Sequence, residues 1–124
     1  MTIVIADDSL LLRERIKEML LTFKNVEIVG EAENGLQALN LILDVNPDLV
    51  ILDIRMPEMN GIEVLKKVRE NGILSKVCML TNYPYKQYRD RCLLDGANYF
   101  FDKNLAIEEL KQLIADLSNT PYFN

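Results

Sequence analysis

The sequence has 124 residues, the length of one domain, and its 49% hydrophobic and 27% charged residues are ordinary for a globular protein. The formal net charge of −5 argues against direct nucleic-acid binding, because phosphate backbones attract lysine and arginine. The N-terminal stretch MTIVIADDS lacks the basic segment of a signal peptide, and the apolar runs are shorter than the ~20 residues of a membrane span. We therefore expect a cytoplasmic protein that does not enter membranes, with reduced cysteines.

Short apolar runs alternate along the chain with longer segments in which apolar residues recur at helical spacing. The predicted elements, in chain order, are strand 2–6, helix 9–23, strand 26–30, helix 34–45, strand 48–52, helix 60–71, strand 76–80, helix 84–94, strand 98–101 and helix 106–117. Ser9 suits the N-cap of the first helix, Pro84 suits the first turn of the fourth, and Gly96 suits its end. Five strand–helix units predict an α/β fold with a parallel sheet covered by helices on both faces. We assign residues 1–118 to this domain and 119–124 to a linker or C-terminal tail.

Polar residues follow four of the predicted strands at the point where each strand ends. Asp7 and Asp8 follow the first strand, Asp53 the third, Thr81 the fourth and Lys103 the fifth. Ligands of open α/β sheets bind outside the carboxyl ends of the strands, so we expect these five side chains to share one rim. Any one of them alone is typical of a helix cap or a turn. Their coincidence is what indicates a site.

The residue types at this rim indicate phosphoryl chemistry. Crowded carboxylates repel one another, and an all-oxygen cluster suits Mg²⁺. A lysine and a hydroxyl beside that cation can hold a phosphoryl group, and a carboxylate can act as the nucleophile that forms an acyl phosphate. The sequence contains no histidine, which excludes a histidine base, metal ligand or phosphohistidine donor within it. On this interpretation Asp53 accepts a phosphoryl group.

Four motifs resemble those of the receiver domain of two-component response regulators, the CheY-like superfamily. They are DDS at 7–9, LDIRMPEMNG at 52–61, LTN at 80–82 and GANYFFDK at 96–103, and the resemblance covers essentially the whole chain. It implies a flavodoxin-like (βα)5 fold, a doubly wound five-stranded parallel sheet of order 2-1-3-4-5. It also implies Asp53 as phosphoacceptor. Asp8 and Asp53 would ligate Mg²⁺ directly, Asp7 mostly through water, and Arg55 through its backbone carbonyl.

The resemblance assigns roles to further residues. Lys103 would pair with one phosphoryl oxygen and Thr81 would hydrogen-bond to another, while Phe100 would be a switch aromatic that turns inward as Thr81 moves. The donor would be a phosphohistidine on a sensor histidine kinase or phosphotransfer protein. The face formed by the fourth helix, fifth strand and fifth helix would serve output or a homodimer. On that face we predict an interface stripe of Tyr85, Tyr88 and Cys92.

Two departures from the family pattern and two residues that would overhang the site lie close to it. Asn82 occupies the position after Thr81 where the family has a small residue, and Arg55 and Tyr83 would overhang the site and alter the dephosphorylation rate. Asn104 replaces the proline that commonly follows the lysine, so we predict a trans bond between Lys103 and Asn104.

Two other functions fit parts of the pattern. A haloacid-dehalogenase-like phosphatase also uses an aspartyl intermediate, but it needs a second acid where this chain has Arg55. A phosphorylation-independent interaction module of receiver fold is the main alternative, although the intact acidic set with Thr81 and Lys103 argues against it. We expect a signalling switch that catalyses only its own phosphorylation and dephosphorylation, either as a stand-alone receiver or as part of a longer regulator.

Overall fold

The computed structural model describes residues 1–118, so the predicted tail 119–124 lies outside the described residues. Strands and helices alternate as predicted. Their order is β1 Thr2–Ala6, α1 Leu10–Leu20, β2 Glu27–Ala32, α2 Gly35–Val45, β3 Leu49–Asp53, α3 Gly61–Glu70, β4 Lys76–Thr81, α4 Lys86–Leu94, β5 Tyr99–Asp102, a 3-10 turn Lys103–Leu105, and α5 Ala106–Ser118.

The five strands form one parallel sheet in the order β2-β1-β3-β4-β5, which confirms the flavodoxin-like prediction. The chain leaves β1 towards β2 on one side and returns to place β3 on the other, so the winding direction reverses between β1 and β3. Ala6 at the end of β1 pairs with Leu52 near the end of β3. This register brings the residues that follow β1 next to the last residue of β3.

Helices cover both faces of the sheet, and each face has its own apolar cluster. On one face Ile42 of α2, Val64 of α3 and Cys92 of α4 pack with strand residues such as Val50. On the other face α1 and α5 pack with strand residues including Ile51. Every residue of β3 is buried, because a central parallel strand is covered on both sides and carries no solvent-facing alternation.

Several predicted boundaries move by one to three residues. The predicted strand 26–30 lies at Glu27–Ala32 instead, because its last two residues pair with the end of β1 beyond a shift in register. The prediction that Pro84 lies in the first turn of α4 is wrong. Tyr85, in an extended conformation, is the N-cap, and the helix begins at Lys86. The peptide bond between Lys103 and Asn104 is trans, as predicted, and no cis bond occurs among residues 1–118.

Candidate functional site

Three carboxylates meet at the carboxyl edge of the sheet. Asp7 and Asp8 follow β1, and Asp53 is the last residue of β3. One carboxylate oxygen from each lies within 4.8 Å of the others. Asp7 and Asp53 are buried, whereas Asp8 is exposed. The sheet order therefore assembles the predicted acidic cluster from residues that are 45 positions apart in the chain.

The start of α3 packs tightly behind Asp53. A Cβ atom at Gly61 would lie 2.1 Å from the backbone oxygen of Asp53, so only glycine allows this close approach. The Gly61 N–H donates to the carbonyl of Ile54 at 2.7 Å, which closes the loop between β3 and α3. This loop fixes the backbone on the carboxyl side of Asp53 and leaves its side chain facing the pocket.

Lys103 connects the cluster to the fifth strand. Its Nζ lies 2.9 Å from Oδ2 of Asp7 and 2.9 Å from Oδ2 of Asp53. Both oxygens are buried, and neither receives a hydrogen bond of normal angle from any described residue. The contact is therefore an ion pair held by charge and proximity. It leaves two buried anionic oxygens with unused capacity to accept a ligand.

Burial and charge set the proton affinities of these groups. Burial is the main cause that raises the pKa of Asp53 to about 6, and repulsion from Asp7 adds to it while Lys103 opposes it. Burial alone would lower the pKa of Lys103, but its contacts with Asp7 and Asp53 outweigh that effect and raise it. At neutral pH the site therefore holds an ionised Asp53 beside a charged lysine.

The cluster is suited to a divalent cation. Its donors are all oxygens, two of them are buried without a well-directed hydrogen bond, and the positive charge of one lysine faces three carboxylates. Hard cations such as Mg²⁺ prefer such oxygen donors over nitrogen and sulfur. The described residues thus fit a metal ion of this class.

A pocket of about 160 Å³ opens directly above Asp53. Its lining contains every strand-end residue named in the sequence analysis except Asp7, and it comprises Asp8, Asp53, Arg55, Thr81, Asn82, Tyr83 and Lys103. Thr81 is buried at the end of β4, and its Oγ1 accepts a hydrogen bond from the Tyr83 N–H at 2.9 Å. The volume suits a small anion or a metal-bound phosphoryl group rather than a large substrate.

Arg55 and Tyr83 meet over this pocket. The guanidinium carbon of Arg55 lies 4.3 Å from the centroid of the Tyr83 ring, within the range of a cation–π contact. The sequence predicted that both residues overhang the site. The structure adds that they contact each other and so form a partial cover on one side of it.

Phe100 and the predicted interface stripe lie farther from the pocket. Phe100 is buried in the core cluster beneath α4, which is the inward position that the switch hypothesis gives to the phosphorylated form. Tyr85 is 53% exposed and its ring lies 6.0 Å from that of Tyr88. Cys92 has no exposed surface, so its predicted place in a surface interface is corrected: it is a core residue.

Arg13 is a residue next to the site that the sequence pattern did not predict. Its guanidinium donates to the backbone carbonyl of Asp7 at 2.5 Å and to the carboxylate of Glu31 at 3.1 Å. The signal was present in the sequence, because Arg13 occupies the same helical stripe as Ile16 and Leu20. A charged residue in a buried stripe requires a buried partner.

A larger depression of about 810 Å³ lies at the opposite edge of the sheet. It is lined by residues before β3 and β4, such as Asp48 and Ser75, and by Leu117 near the end of α5. It holds none of the clustered carboxylates, so size alone does not mark the site of chemistry.

The fold and the site together define an α/β protein with an acidic pocket at the carboxyl edge of a parallel sheet. The family model of the response regulator receiver domain matches residues 3–115, and the chain belongs to this family. Among residues 1–118, no helix has the length and apolar character needed to cross a bilayer.

Named relatives and a solved structure agree with that assignment. The chain is 38% identical over 110 residues to the uncharacterized transcriptional regulatory protein YhcZ of Bacillus subtilis, covering 89% of this chain and 51% of the relative. It is also 38% identical over 117 residues to a protein-glutamate methylesterase/protein-glutamine glutaminase of Clostridium acetobutylicum, covering 93% and 34%. A crystal structure of a LuxR-family DNA-binding response regulator from Staphylococcus aureus superposes with a TM-score of 0.86 at 33% identity, covering 95% and 98%. The chain thus spans about half or less of the length of these two sequence relatives.

Proposed function

We propose that this receiver domain is a phosphorylation-dependent switch in which Asp53 accepts a phosphoryl group. The observation that supports it most is the placement of Asp53. Its carboxylate is buried at the floor of a small pocket, 2.9 Å from Lys103 and within a cluster of three acids. A carboxylate that served only as a cap or turn residue would have no need of either neighbour.

The chemistry follows from the state of that carboxylate. With a pKa raised to about 6, Asp53 is ionised at neutral pH and more basic than an ordinary aspartate, which favours nucleophilic attack. One Asp53 oxygen forms a bond to phosphorus while the phosphorus–nitrogen bond of a phosphohistidine breaks. The electron pair stays on the imidazole nitrogen, which takes up a proton. Lys103 then faces the charge on the phosphoryl oxygens.

Mg²⁺ is the cofactor that we assign to the acidic cluster. Asp8, Asp53 and the backbone carbonyl of Arg55 would hold it directly, and Asp7 would contribute mostly through water. When bound, Mg²⁺ neutralises phosphoryl charge and relieves the repulsion among the carboxylates. The two buried oxygens without a well-directed hydrogen bond support this assignment.

The switch would act through Thr81 and Phe100. A phosphoryl group on Asp53 offers oxygens to the Thr81 hydroxyl, which now accepts a hydrogen bond from the Tyr83 N–H. Phe100 is already buried in the inward position, so movement of Thr81 towards that group would hold the ring there and so bias the face formed by α4, β5 and α5. Tyr85 and Tyr88 are the part of that face that we propose for output or for a homodimer.

The phosphohistidine donor lies outside this sequence, because the sequence contains no histidine. We propose a sensor histidine kinase or a phosphotransfer protein in the cytoplasm as the partner. The two sequence relatives carry names with different outputs, a transcriptional regulator and a methylesterase. We propose that residues 1–118 themselves make no direct contact with nucleic acid, whatever output a further domain supplies.

Intact mass spectrometry after incubation with acetyl phosphate tests the proposal. We expect a gain of one phosphoryl group that requires Mg²⁺ and is abolished both by EDTA and by Asp53→Asn. Asp44→Asn, which changes an exposed carboxyl on α2, is the matched control and should be phosphorylated like the wild type. If the wild type gains no adduct, and beryllofluoride leaves its NMR spectrum unchanged, the phosphorylation-independent interaction module replaces this proposal.

A further inference from the structure

Arg13 of α1 is a buried cation that reaches the acidic site from behind. Arg13 is 9% exposed, and its guanidinium donates two hydrogen bonds. Nη1 donates to the backbone carbonyl of Asp7 at 2.5 Å, and Nε donates to Oε1 of Glu31 on β2 at 3.1 Å. Burial of an arginine is unfavourable unless its donors are paired. Both contacts therefore have a structural reason, and one of them ends on a residue of the site.

The Asp7 contact fixes a peptide group that carries two of the clustered acids. The carbonyl of Asp7 belongs to the peptide that joins it to Asp8. On the other side of Asp7, its N–H donates to the carbonyl of Ala32 at 3.0 Å. Its Oδ1 accepts from the Ser9 N–H at 2.8 Å. The exposed Asp8 side chain is not held by packing, so its direction depends on the orientation of this peptide.

Glu31 holds the guanidinium in the orientation that reaches Asp7. Its Oε1 accepts from Arg13, while its Oε2 lies 2.9 Å from Nζ of Lys17. Lys17 also pairs with Glu14 at 2.9 Å on the surface of α1. The two cations thus share one carboxylate, but of the two it is Arg13 that donates to the Asp7 carbonyl. Lys17 is consequently a natural control for the loss of an ion pair to Glu31.

We propose that Arg13, oriented by Glu31, is a positioning residue for the acidic site: it fixes the Asp7–Asp8 peptide so that both carboxylates face a bound divalent cation. The proposal rests on the proposed function in requiring that the cluster binds Mg²⁺. Arg13 lies outside the pocket, and it would act on the metal ligands through the backbone carbonyl of Asp7 rather than through a side chain. Residues that orient metal ligands in this way usually matter nearly as much as the ligands.

Calorimetric titration of the metal-free protein with MgCl₂ tests it directly. We expect Arg13→Met to weaken Mg²⁺ binding roughly tenfold, the lower end of the range for lost outer-shell contacts. Lys17→Met should bind Mg²⁺ within about twofold of the wild type. Glu31→Gln should fall between them, and the double variant of Arg13→Met and Glu31→Gln should be no weaker than Arg13→Met alone, because both changes act through one contact.

A kinetic readout separates positioning from general damage to the fold. In acetyl phosphate reactions, Arg13→Met should raise the Mg²⁺ concentration needed for half-maximal rate and leave the rate at saturating Mg²⁺ within about twofold. Arg13→Lys keeps the charge but loses the guanidinium fork, so it should also weaken Mg²⁺ binding several-fold. Arg13→Lys therefore tests the positioning role even if Arg13→Met does not fold.

The outcomes are distinguishable from failure of the proposed function. If the wild type binds no Mg²⁺, the proposed function itself is wrong. If the wild type binds Mg²⁺ and both Arg13 variants bind it within about twofold, the positioning role is wrong and the switch stands. If Lys17→Met weakens binding as much as Arg13→Met, the effect belongs to charge on α1, and the role of the Asp7 carbonyl contact is refuted.

Discussion

Asp53→Asn should stabilise the metal-free protein in a pH-dependent way. The fold buries the Asp53 carboxylate beside Asp7 and raises its pKa from the ordinary 3.8 to about 6, so ionisation costs the folded state free energy. Below pH ~3 the carboxyl is protonated in the folded and unfolded states and this cost is absent. The cost develops as the pH rises from about 4 to about 6, and it is complete above about pH 7.

The magnitude follows from the same pKa. A change from 3.8 to about 6 corresponds to about 3 kcal/mol, because one pH unit of pKa is worth about 1.4 kcal/mol. An asparagine at position 53 does not ionise. The free energy of unfolding of the variant, relative to that of the wild type, should therefore rise by about 3 kcal/mol between pH ~3 and ~7.5. In thermal unfolding this difference is roughly 10 °C.

Urea denaturation followed by circular dichroism in EDTA, at a series of pH values, measures this difference. Any constant effect of the amide cancels, since only the change with pH matters. Asp44→Asn, on the exposed surface of α2, should show little pH-dependent difference from the wild type. A wild-type-to-variant difference that stays constant within about 1 kcal/mol, or one that grows in the opposite direction, would refute the account of Asp53 as a buried, destabilised carboxylate.

Three further substitutions test other contacts of the pocket. Lys103→Met leaves two buried carboxylates without their cation, so in EDTA we expect the free energy of unfolding from urea denaturation to fall by about 3 kcal/mol. Mg²⁺ should partly restore it, and an unchanged free energy of unfolding would contradict the ion pair. Thr81→Ser keeps the hydroxyl and should retain the NMR response of β5 to beryllofluoride, whereas Thr81→Ala should lose most of it; equal responses would exclude the hydroxyl from the switch. Tyr83→Leu removes the ring on which Arg55 lies and opens the pocket. We expect the acyl-phosphate lifetime in a phosphate-release assay to shorten several-fold. An unchanged lifetime would contradict a protective role for the Arg55–Tyr83 contact.

The gathering of the acidic cluster could be predicted because the end of each strand is a local property of the sequence. Asp7 and Asp53 each end or follow a run of apolar residues, and parallel strands carry such positions to one edge of the sheet. The order of the strands was implied by the family motifs rather than by periodicity. The strand ends then specified which side chains meet, and the structure brings Asp7 and Asp53 to the same lysine.

The contacts that escaped prediction join positions without a common local pattern. Arg13 and Glu31 are 18 residues apart, and their pairing depends on the register of β2 against β1, which includes an irregularity. Cys92 looked like part of a surface stripe because its spacing from Tyr88 is helical. Only the packing of α4 on the sheet decides that this turn of the helix faces the core. Likewise, α4 begins after Tyr85 because that residue is extended, although Pro84 before it would suit a first helical turn.

The most direct test of the central claim is to locate the phosphoryl group. Protein treated with acetyl phosphate and Mg²⁺ is reduced with borohydride, which converts an aspartyl phosphate to homoserine, and the peptides are sequenced by mass spectrometry. We predict homoserine at position 53, with Asp7 and Asp8 unmodified. Homoserine at position 7 or 8, or none at any aspartate while the protein remains folded, would contradict it.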